Sequence, residues 1–388
     1  MSTAPAAQRA RGPVITAWSA VSPYGIGRAA FTGGVRAGER TDAPVDPETW
    51  RSPDERACLV PDFDVRAVLG KSGTRGMDRV TGLAITTVRE LFAEAEAARC
   101  PVPAGEGTAL VLGTTLGSAQ SQHDFVRASY EGEKPYDVPT RQMPYTLMNC
   151  PAAATAIRFD LKGPNSTVAG GRMSGILALG YARRLLATGR TERALVGAVE
   201  EYSRSRAWID RHSRRTAEGQ PDPRLGEGCA VLLLEPATGE PDADVPDASA
   251  DPARTPLAEL LAIDIRADVR GDPTSTLRES VSQALGDAEV SPEQVWAATS
   301  GELPGPLGAD ERRLLAELFG EPATARGRGH ELLGDTAAVS GVFQLTTLLA
   351  RAAEDTEAAD RFAVLTSVDE DGMIASAVLR LLAQDGGS

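Results

Sequence analysis

Apolar residues along this chain follow two periods, one typical of buried strands and one typical of helices. Continuous apolar runs punctuated by glycine predict buried strands at "GTALVLGTTLGS", "RALVGAVEEYS" and "EGCAVLLLEPA". Apolar residues at helical spacing in "RVTGLAITTVRELFAEAEAA" predict a long amphipathic helix. The stretch "PVITAWSAVSPYGIGRAAFTGGVRAG" predicts a strand, a Ser-Pro-Tyr-Gly loop and a helix that begins near Ile26. Alternating strands and helices favour an α/β layered fold.

The pattern stops at residues 236–256, which are rich in Pro, Asp and Ala, and then restarts. The second block predicts, in order, strand 257–265, helix 274–286, strand "VWAATSG", helix 309–318, helix "AVSGVFQLTTLLARAAE" and strands "RFAVLTSV" and "MIASAVLRLL". We therefore expect a disordered tail at 1–12, one half at 13–235, a linker at 236–256 and a second half at 257–385.

Charge and composition exclude several classes of function. The chain has 388 residues and a net charge of −14, which argues against a general nucleic-acid binder. Its N-terminus lacks an apolar signal core, and no run approaches the ~18 apolar residues of a membrane span. The four cysteines, at positions 58, 100, 150 and 229, form no CxxC pair, so neither a metal site nor a disulfide framework is expected. These features predict a soluble, cytoplasmic protein without a cofactor and without a membrane partner.

One segment, "GPNSTVAGGRMSGILALGYARRLLATGR", has the form of a seat for a nucleophile. A short β-rich stretch enters a glycine-containing turn, and the turn opens a long apolar helix. The first N–H groups and the dipole of such a helix stabilise an anion. The tip of the turn nevertheless carries Arg172, between Gly171 and Met173, and Ser174 is the one hydroxyl within reach.

Six stretches, in order, resemble the β-ketoacyl synthase family. They are "VITAWSAVSPYGIG", "LVLGTTLGS", "FDLKGPNSTVAGGRMSG", "LVGAVEEYS", "GEGCAVLLLE" and "LLGDTAAVSGVFQL". The resemblance implies a thiolase-like fold, a five-layered α-β-α-β-α sandwich of two related halves that is normally dimeric. In that family a cysteine at the strand-to-helix turn attacks an acyl thioester, and two histidines assist decarboxylation of a malonyl thioester.

Every position that performs this chemistry in the family is replaced in the chain. Arg172 stands at the cysteine position, Gly301 and Asp335 stand at the two histidine positions, and Glu370 replaces the aromatic residue of the C-terminal glycine loop. His330 falls at the position of a family lysine. Because a buried arginine needs a carboxylate, we expect Arg172 to face Asp335 or Glu370.

This pattern resembles the chain length factors of type II polyketide synthases. The resemblance implies a non-catalytic subunit that forms a heterodimer with an active ketosynthase, meets the acyl carrier protein through that complex, and shapes the elongation tunnel. It also implies that the strand Ser166, Thr167, Val168 and Ala169 pairs across the dimer. Tunnel and interface candidates lie in segment 120–130, at His123, Phe125 and Tyr130.

Other interpretations of these residues stay open at this point. Arg172 could lie on the surface, Ser174 could pack or cap the helix or act as a nucleophile, and Asp335 could cap the following helix. His212, in an Arg-rich stretch, could lie on a solvated face or on a docking surface for an acidic carrier protein. The alternative functions are a decarboxylase, a Ser174-dependent acyltransferase and a homodimeric scaffold.

Overall fold

A mixed β-sheet with helices on both faces forms the fold. The computed structural model describes residues 12–213, 223–237 and 254–383. Residues 1–11 of the expected tail and 238–253 of the expected linker lie outside the described residues. The strands are β1 Val14–Ser22, β2 Gly25–Ile26, β3 Ala43–Pro44, β4 Arg56–Ala57, β5 Thr108–Gly113, β6 Asn165–Val168, β7 Arg193–Glu200, β8 Gly228–Glu235, β9 Ala258–Ala267, β10 Val295–Thr299, β11 Phe362–Val368 and β12 Met373–Leu381.

The helices fall between these strands, mostly where apolar residues recur at helical spacing. They are α1 Arg28–Ala37, α2 Pro47–Trp50, α3 Val65–Leu69, α4 Arg79–Ala97, α5 Ala119–Glu131, α6 Cys150–Arg158, α7 Ser174–Ala187, α8 Arg204–Ser213, α9 Pro273–Ala288, α10 Pro306–Gly327 and α11 Ser340–Ala352. Helix α10 is broken at Gly320, whose φ is 79°. The long helix expected from its periodicity is α4, and its N-cap is the side chain of Asp78.

Strand order repeats between the two ends of the sheet. The order is β10-β11-β12-β9-β1-β8-β7-β5-β6. In the first block β5 and β7 are parallel, while β7–β8 and β8–β1 are antiparallel. In the second block β10 and β11 are parallel, while β11–β12 and β12–β9 are antiparallel. Strands β1 and β9 join the blocks through a short antiparallel pairing. The shared order supports two related halves, although the exact domain boundaries stay predictions.

Three apolar cores divide the molecule into layers. The largest core holds the buried faces of α7 and α11 against residues from both blocks of the sheet. A second core packs α4 and α6 on the opposite face of the first block. A third packs α9 and α10 on the opposite face of the second block. The resulting sequence of layers is α-β-α-β-α, and α7, which begins at the predicted nucleophile seat, lies in the central layer.

Candidate functional site

The predicted seat is a tight turn between β6 and α7. Gly171 has a φ of 55°, in the left-handed region that favours glycine. A Cβ at this position would also lie 2.4 Å from Oδ2 of Asp369, so a side chain here would displace the Asp369 carboxylate. The turn therefore brings the backbone at residues 171–172 directly against the loop that follows β11.

Arg172 lies in the interior and joins three loops. Its side chain is 6% exposed, so the surface interpretation is wrong. Nη1 donates to the Gly301 carbonyl at 2.9 Å, and Nη2 lies 2.6 Å from Oδ1 of Asp335. The backbone N–H of Arg172 donates to Oδ2 of Asp369 at 2.8 Å. Residues 172, 301 and 335, which the family resemblance places at the cysteine and histidine positions, thus meet around the guanidinium group.

Asp335 takes the first of the two roles considered from the sequence, the ion pair with Arg172. Oδ1 accepts the Arg172 guanidinium and also accepts the backbone N–H of Ala337 at 3.1 Å. Asp335 is not the N-cap residue of the short helix Ala337–Val339 that leads into α11, because that position is held by Thr336, without a side-chain cap hydrogen bond. The Asp335 carbonyl accepts from the Arg206 side chain at 3.0 Å and from the Gly226 N–H at 2.9 Å. Hydrogen bonds to the Asp335 backbone therefore fix the position of the residue whose carboxylate neutralises Arg172.

Of the two carboxylates expected to face Arg172, Asp335 does so and Glu370 does not, while the neighbouring Asp369 accepts the backbone N–H of Arg172. Glu370 is exposed, and its N–H donates to Oδ1 of Asp369 at 2.8 Å. Burial raises the pKa of Asp369, and its hydrogen bond from the Arg172 N–H opposes that rise. The three consecutive acids 369–371 signalled a carboxylate at this turn, but only the backbone path decides which one points inward.

Ser174 is tied to backbone groups. The side chain is fully buried, and its hydroxyl lies within donating distance of the carbonyls of Gly171 at 2.7 Å and Thr114 at 3.0 Å. The hydroxyl oxygen accepts the N–H of Gly170 at 3.0 Å. With its one proton committed to these carbonyls, the hydroxyl holds the turn together, which favours the packing role over that of a nucleophile.

Two buried titratable residues, Glu311 and His330, lie beside the site. Glu311 is 1% exposed; its Oε1 accepts the Gly301 N–H at 3.1 Å and the Thr366 hydroxyl at 2.7 Å. Burial raises the pKa of Glu311 to about 7. His330 is 5% exposed, and burial lowers its pKa. Sequence reasoning missed Glu311, because an acid on an amphipathic helix predicts a solvent-facing residue.

The tunnel and interface candidates lie on α5 and β6. On α5, His123 is exposed, Phe125 is half-buried and Tyr130 is 84% exposed. Ser166, Thr167 and Val168 belong to β6, whereas Ala169 lies just beyond its end. Strand β6 ends the sheet order, so within the described residues its outer edge pairs with no other strand. His212, on α8, stacks on Trp208 with ring centroids 5.6 Å apart.

Large exposed apolar side chains concentrate between α5 and β6. Seven of the eleven found among the described residues fall in segment 126–157. They are Val126, Tyr130, Tyr136, Met143, Leu147, Met148 and Ile157. We call this set the 126–157 patch. A monomer seldom exposes so many apolar residues together, so the patch indicates a surface that contacts another molecule.

The five layers, the repeated strand order and the buried strand-to-helix turn define a thiolase-like fold. Residues 13–239 match the β-ketoacyl synthase N-terminal domain family, and the chain therefore belongs to the β-ketoacyl synthase family. A chain of the solved structure described as "The ishigamide ketosynthase/chain length factor" is 44% identical, with a TM-score of 0.88. That match covers 96% of this chain and 100% of the other.

Curated relatives point in the same direction. A "Putative polyketide beta-ketoacyl synthase 1" of Streptomyces halstedii is 33% identical over 259 residues, which cover 58% of this chain and 58% of that protein. A "3-oxoacyl-[acyl-carrier-protein] synthase 2" of Coxiella burnetii is 24% identical over 87% of this chain and 86% of its own length. Among the described residues, no helix is both long and apolar enough to span a membrane.

Proposed function

We propose that this chain is a non-catalytic, chain-length-factor-like subunit that pairs with an active ketosynthase. The single observation that carries the proposal is the position of Arg172. Its guanidinium group occupies the point where residues 172, 301 and 335 converge, and it is bonded to the other two. A nucleophilic cysteine and two histidines would be needed there for condensation, and positions 172, 301 and 335 carry Arg, Gly and Asp instead.

The proposed partner is supported by two features of the surface. The outer edge of β6 is free within the described residues, and an edge strand is a template for pairing with another chain. The 126–157 patch precedes β6 in the chain. Helix α6, which carries Ile157 of the patch, packs against β6. The similarity to a chain of a ketosynthase/chain length factor structure favours a ketosynthase as the partner.

Helix α5 is the proposed tunnel wall, because it contributes Val126 and Tyr130 to the patch and Phe125 beside them. The acyl carrier protein would then deliver its chain to the ketosynthase, and this subunit would limit chain growth sterically. The alternative of Ser174-dependent acyl transfer is disfavoured, because the hydroxyl is buried and bonded to backbone carbonyls. Decarboxylation is disfavoured because the cationic donor at this point, the Arg172 guanidinium group, is already bonded to the Gly301 carbonyl and the Asp335 carboxylate.

Co-expression with candidate ketosynthases that retain their cysteine tests this proposal. We expect native mass measurement to show a one-to-one complex, and labelled acyl thioester to label the ketosynthase alone. Replacing the ketosynthase cysteine by alanine should abolish elongation by the complex. A covalent acyl adduct on this chain would contradict the non-catalytic role. A stable homodimer that binds none of the ketosynthases would instead favour the scaffold alternative.

A further inference from the structure

The contacts of Arg172 join the two related halves of the molecule. Arg172 follows β6, in the first half. Its three acceptors follow different segments of the second half: Gly301 comes after β10, Asp335 lies before α11, and Asp369 comes after β11. One residue therefore ties a single turn of the first half to three separate loops of the second half.

These acceptors are themselves fixed, so the arrangement is a built structure. The Gly301 carbonyl also accepts the hydroxyl of Ser340 at 3.0 Å, which anchors it to α11. Oδ1 of Asp335 also accepts the N–H of Ala337, the first residue of the short helix before α11. A guanidinium group buried to this extent is tolerated only when carboxylates and carbonyls surround it in good geometry. The loops of the second half are arranged to receive Arg172.

The turn that Arg172 holds continues directly into the free edge of the sheet. Val168, the last residue of β6, accepts the N–H of Thr114 at 3.0 Å, and this bond ends the contacts between β5 and β6. Ala169 beyond it is exposed. Gly170 is held by the hydroxyl of Ser174, four residues further along. Arg172 supplies the side-chain tether between this turn and the second half.

We propose that Arg172 is a positioning residue whose bonds to Gly301 and Asp335 fix the turn 169–173 and the outer edge of β6. The clamp would present this edge in one conformation to a partner strand. That last step rests on the proposed function; the effect on the turn itself does not.

Four variants of the full chain test the clamp: Arg172→Met, Arg172→Lys, Asp335→Asn and, as a matched control, Arg190→Met. Arg190 is exposed beyond the end of α7. Asp335→Asn keeps an oxygen that can accept the Ala337 N–H but removes the charge. The first measurement is hydrogen exchange of the peptide covering 164–173 in the chain alone. The second is the Kd for the ketosynthase partner.

We expect Arg172→Met and Asp335→Asn to accelerate exchange in this peptide by about 10-fold and to weaken partner binding by a similar factor. Arg172→Lys keeps the charge but not the two-pronged geometry, so its exchange should fall between wild type and Arg172→Met. Exchange in α9, in the outer layer, should stay unchanged, which separates the clamp from a general loss of stability. If Arg172→Met does not fold, the Lys and Asn variants carry the same comparison.

Wild-type exchange in all three clamp variants would overturn the proposal, as would an equal effect of Arg190→Met. Accelerated exchange with an unchanged Kd would also overturn it, because the edge would then not depend on the clamp for pairing. If the wild-type chain binds no ketosynthase, the proposed function fails, whereas the exchange measurement still decides whether Arg172 fixes the turn.

Discussion

At the scale of single residues, the electrostatics of the nucleophile seat are inverted. The N-terminus of a helix such as α7 favours a negative charge, yet Arg172, two residues before its first residue Ser174, carries a guanidinium group. The carboxylates of Asp335 and Asp369 offset this conflict. Charge complementarity in the sequence predicted Asp335. It named Glu370 rather than Asp369, because neighbouring residues differ only in the direction that the local backbone gives them.

Restoring the cysteine should not restore chemistry. In Arg172→Cys, we expect no acyl adduct from malonyl or longer acyl thioesters, because Gly301 and Asp335 still stand where the resemblance places the two histidines. The carboxylates of Asp335 and Asp369 would also raise the pKa of the new thiol and reduce its thiolate fraction. Intact-mass measurement after incubation with acyl thioester checks this, with the wild-type chain as the control for its four native cysteines. A stoichiometric adduct on the variant alone would contradict it.

Removing the Ser174 hydroxyl should affect stability and leave complex activity intact. Ser174→Ala leaves the Gly170 N–H and the Thr114 carbonyl without their buried partner. Such unsatisfied groups cost about 1–3 kcal/mol, which we expect as the loss in free energy of unfolding. Denaturant unfolding measures it, and elongation by the complex provides the control. A loss of elongation with unchanged stability would instead support a chemical role for this serine.

At the scale of elements, α5 is anchored at its N-terminus by a buried acid. Ser118, the N-cap of α5, donates to the Glu201 carboxyl group at 3.2 Å, and the N–H of Gln120 lies 3.4 Å from the same group. Burial, with a contribution from Asp78, raises the pKa of Glu201 to about 8. Burial likewise raises the pKa of Asp78 to about 6. No pattern in the sequence indicated this anchor, since Glu201 lies at the polar end of a predicted strand.

The pKa of Glu201 predicts how stability changes with pH. The folded chain retains a proton that the unfolded chain releases between the ordinary pKa of 4.5 and about 8. Stability should therefore fall as pH rises through this window, by at most about 1.4 kcal/mol per pH unit for this group. Glu201→Gln keeps the hydrogen bonds and should flatten the slope. Asp78 and Glu311, whose pKa values are also raised, should preserve part of the pH dependence of stability in the Glu201→Gln variant.

Unfolding free energies measured at pH values from 5 to 8 check this expectation. Glu131→Gln is the matched control, because Glu131 lies on α5, the helix that Glu201 anchors, and its side chain is 71% exposed. Parallel pH profiles for wild type and Glu201→Gln would show that the buried acid does not control the stability of this region.

Helix α5 as a tunnel wall predicts a change in product length. Phe125→Ala or Tyr130→Ala, in complex with the active ketosynthase, should lengthen products by about one or two two-carbon units, because one lost ring opens limited space in a packed interface. Half-buried Phe125 favours the larger effect, whereas Tyr130 reaches the tunnel only if the partner covers it. Product mass spectra measure this. Unchanged lengths across residues 120–130, with the complex intact and active, would exclude this wall.

At the scale of the whole molecule, the sequence predicted the classes of elements more securely than their arrangement. The restart of the strand and helix pattern after residue 256 indicated two halves, and strands β9 to β12 with helices α9 to α11 occupy the second block. Periodicity alone could not place α7 and α11 in one central layer, because it records which face is apolar and not which neighbour covers it. The five layers followed from the family resemblance. Segment 126–157 carried no such pattern, and seven of its large apolar side chains are exposed.

The 126–157 patch therefore predicts where association can be broken. Leu147 and Ile157 are 57% and 83% exposed, so a charge at either position costs the isolated chain little. In a desolvated interface the same charge would be unpaired, and we expect Ile157→Glu or Leu147→Glu to raise the Kd for the ketosynthase by about 100-fold. Val269→Glu is the matched control, because Val269 is 90% exposed and lies outside the patch. Thermal unfolding of each isolated variant should match wild type. Native mass measurement of the complex decides the matter: a one-to-one complex that survives both patch substitutions would place the partner on another surface.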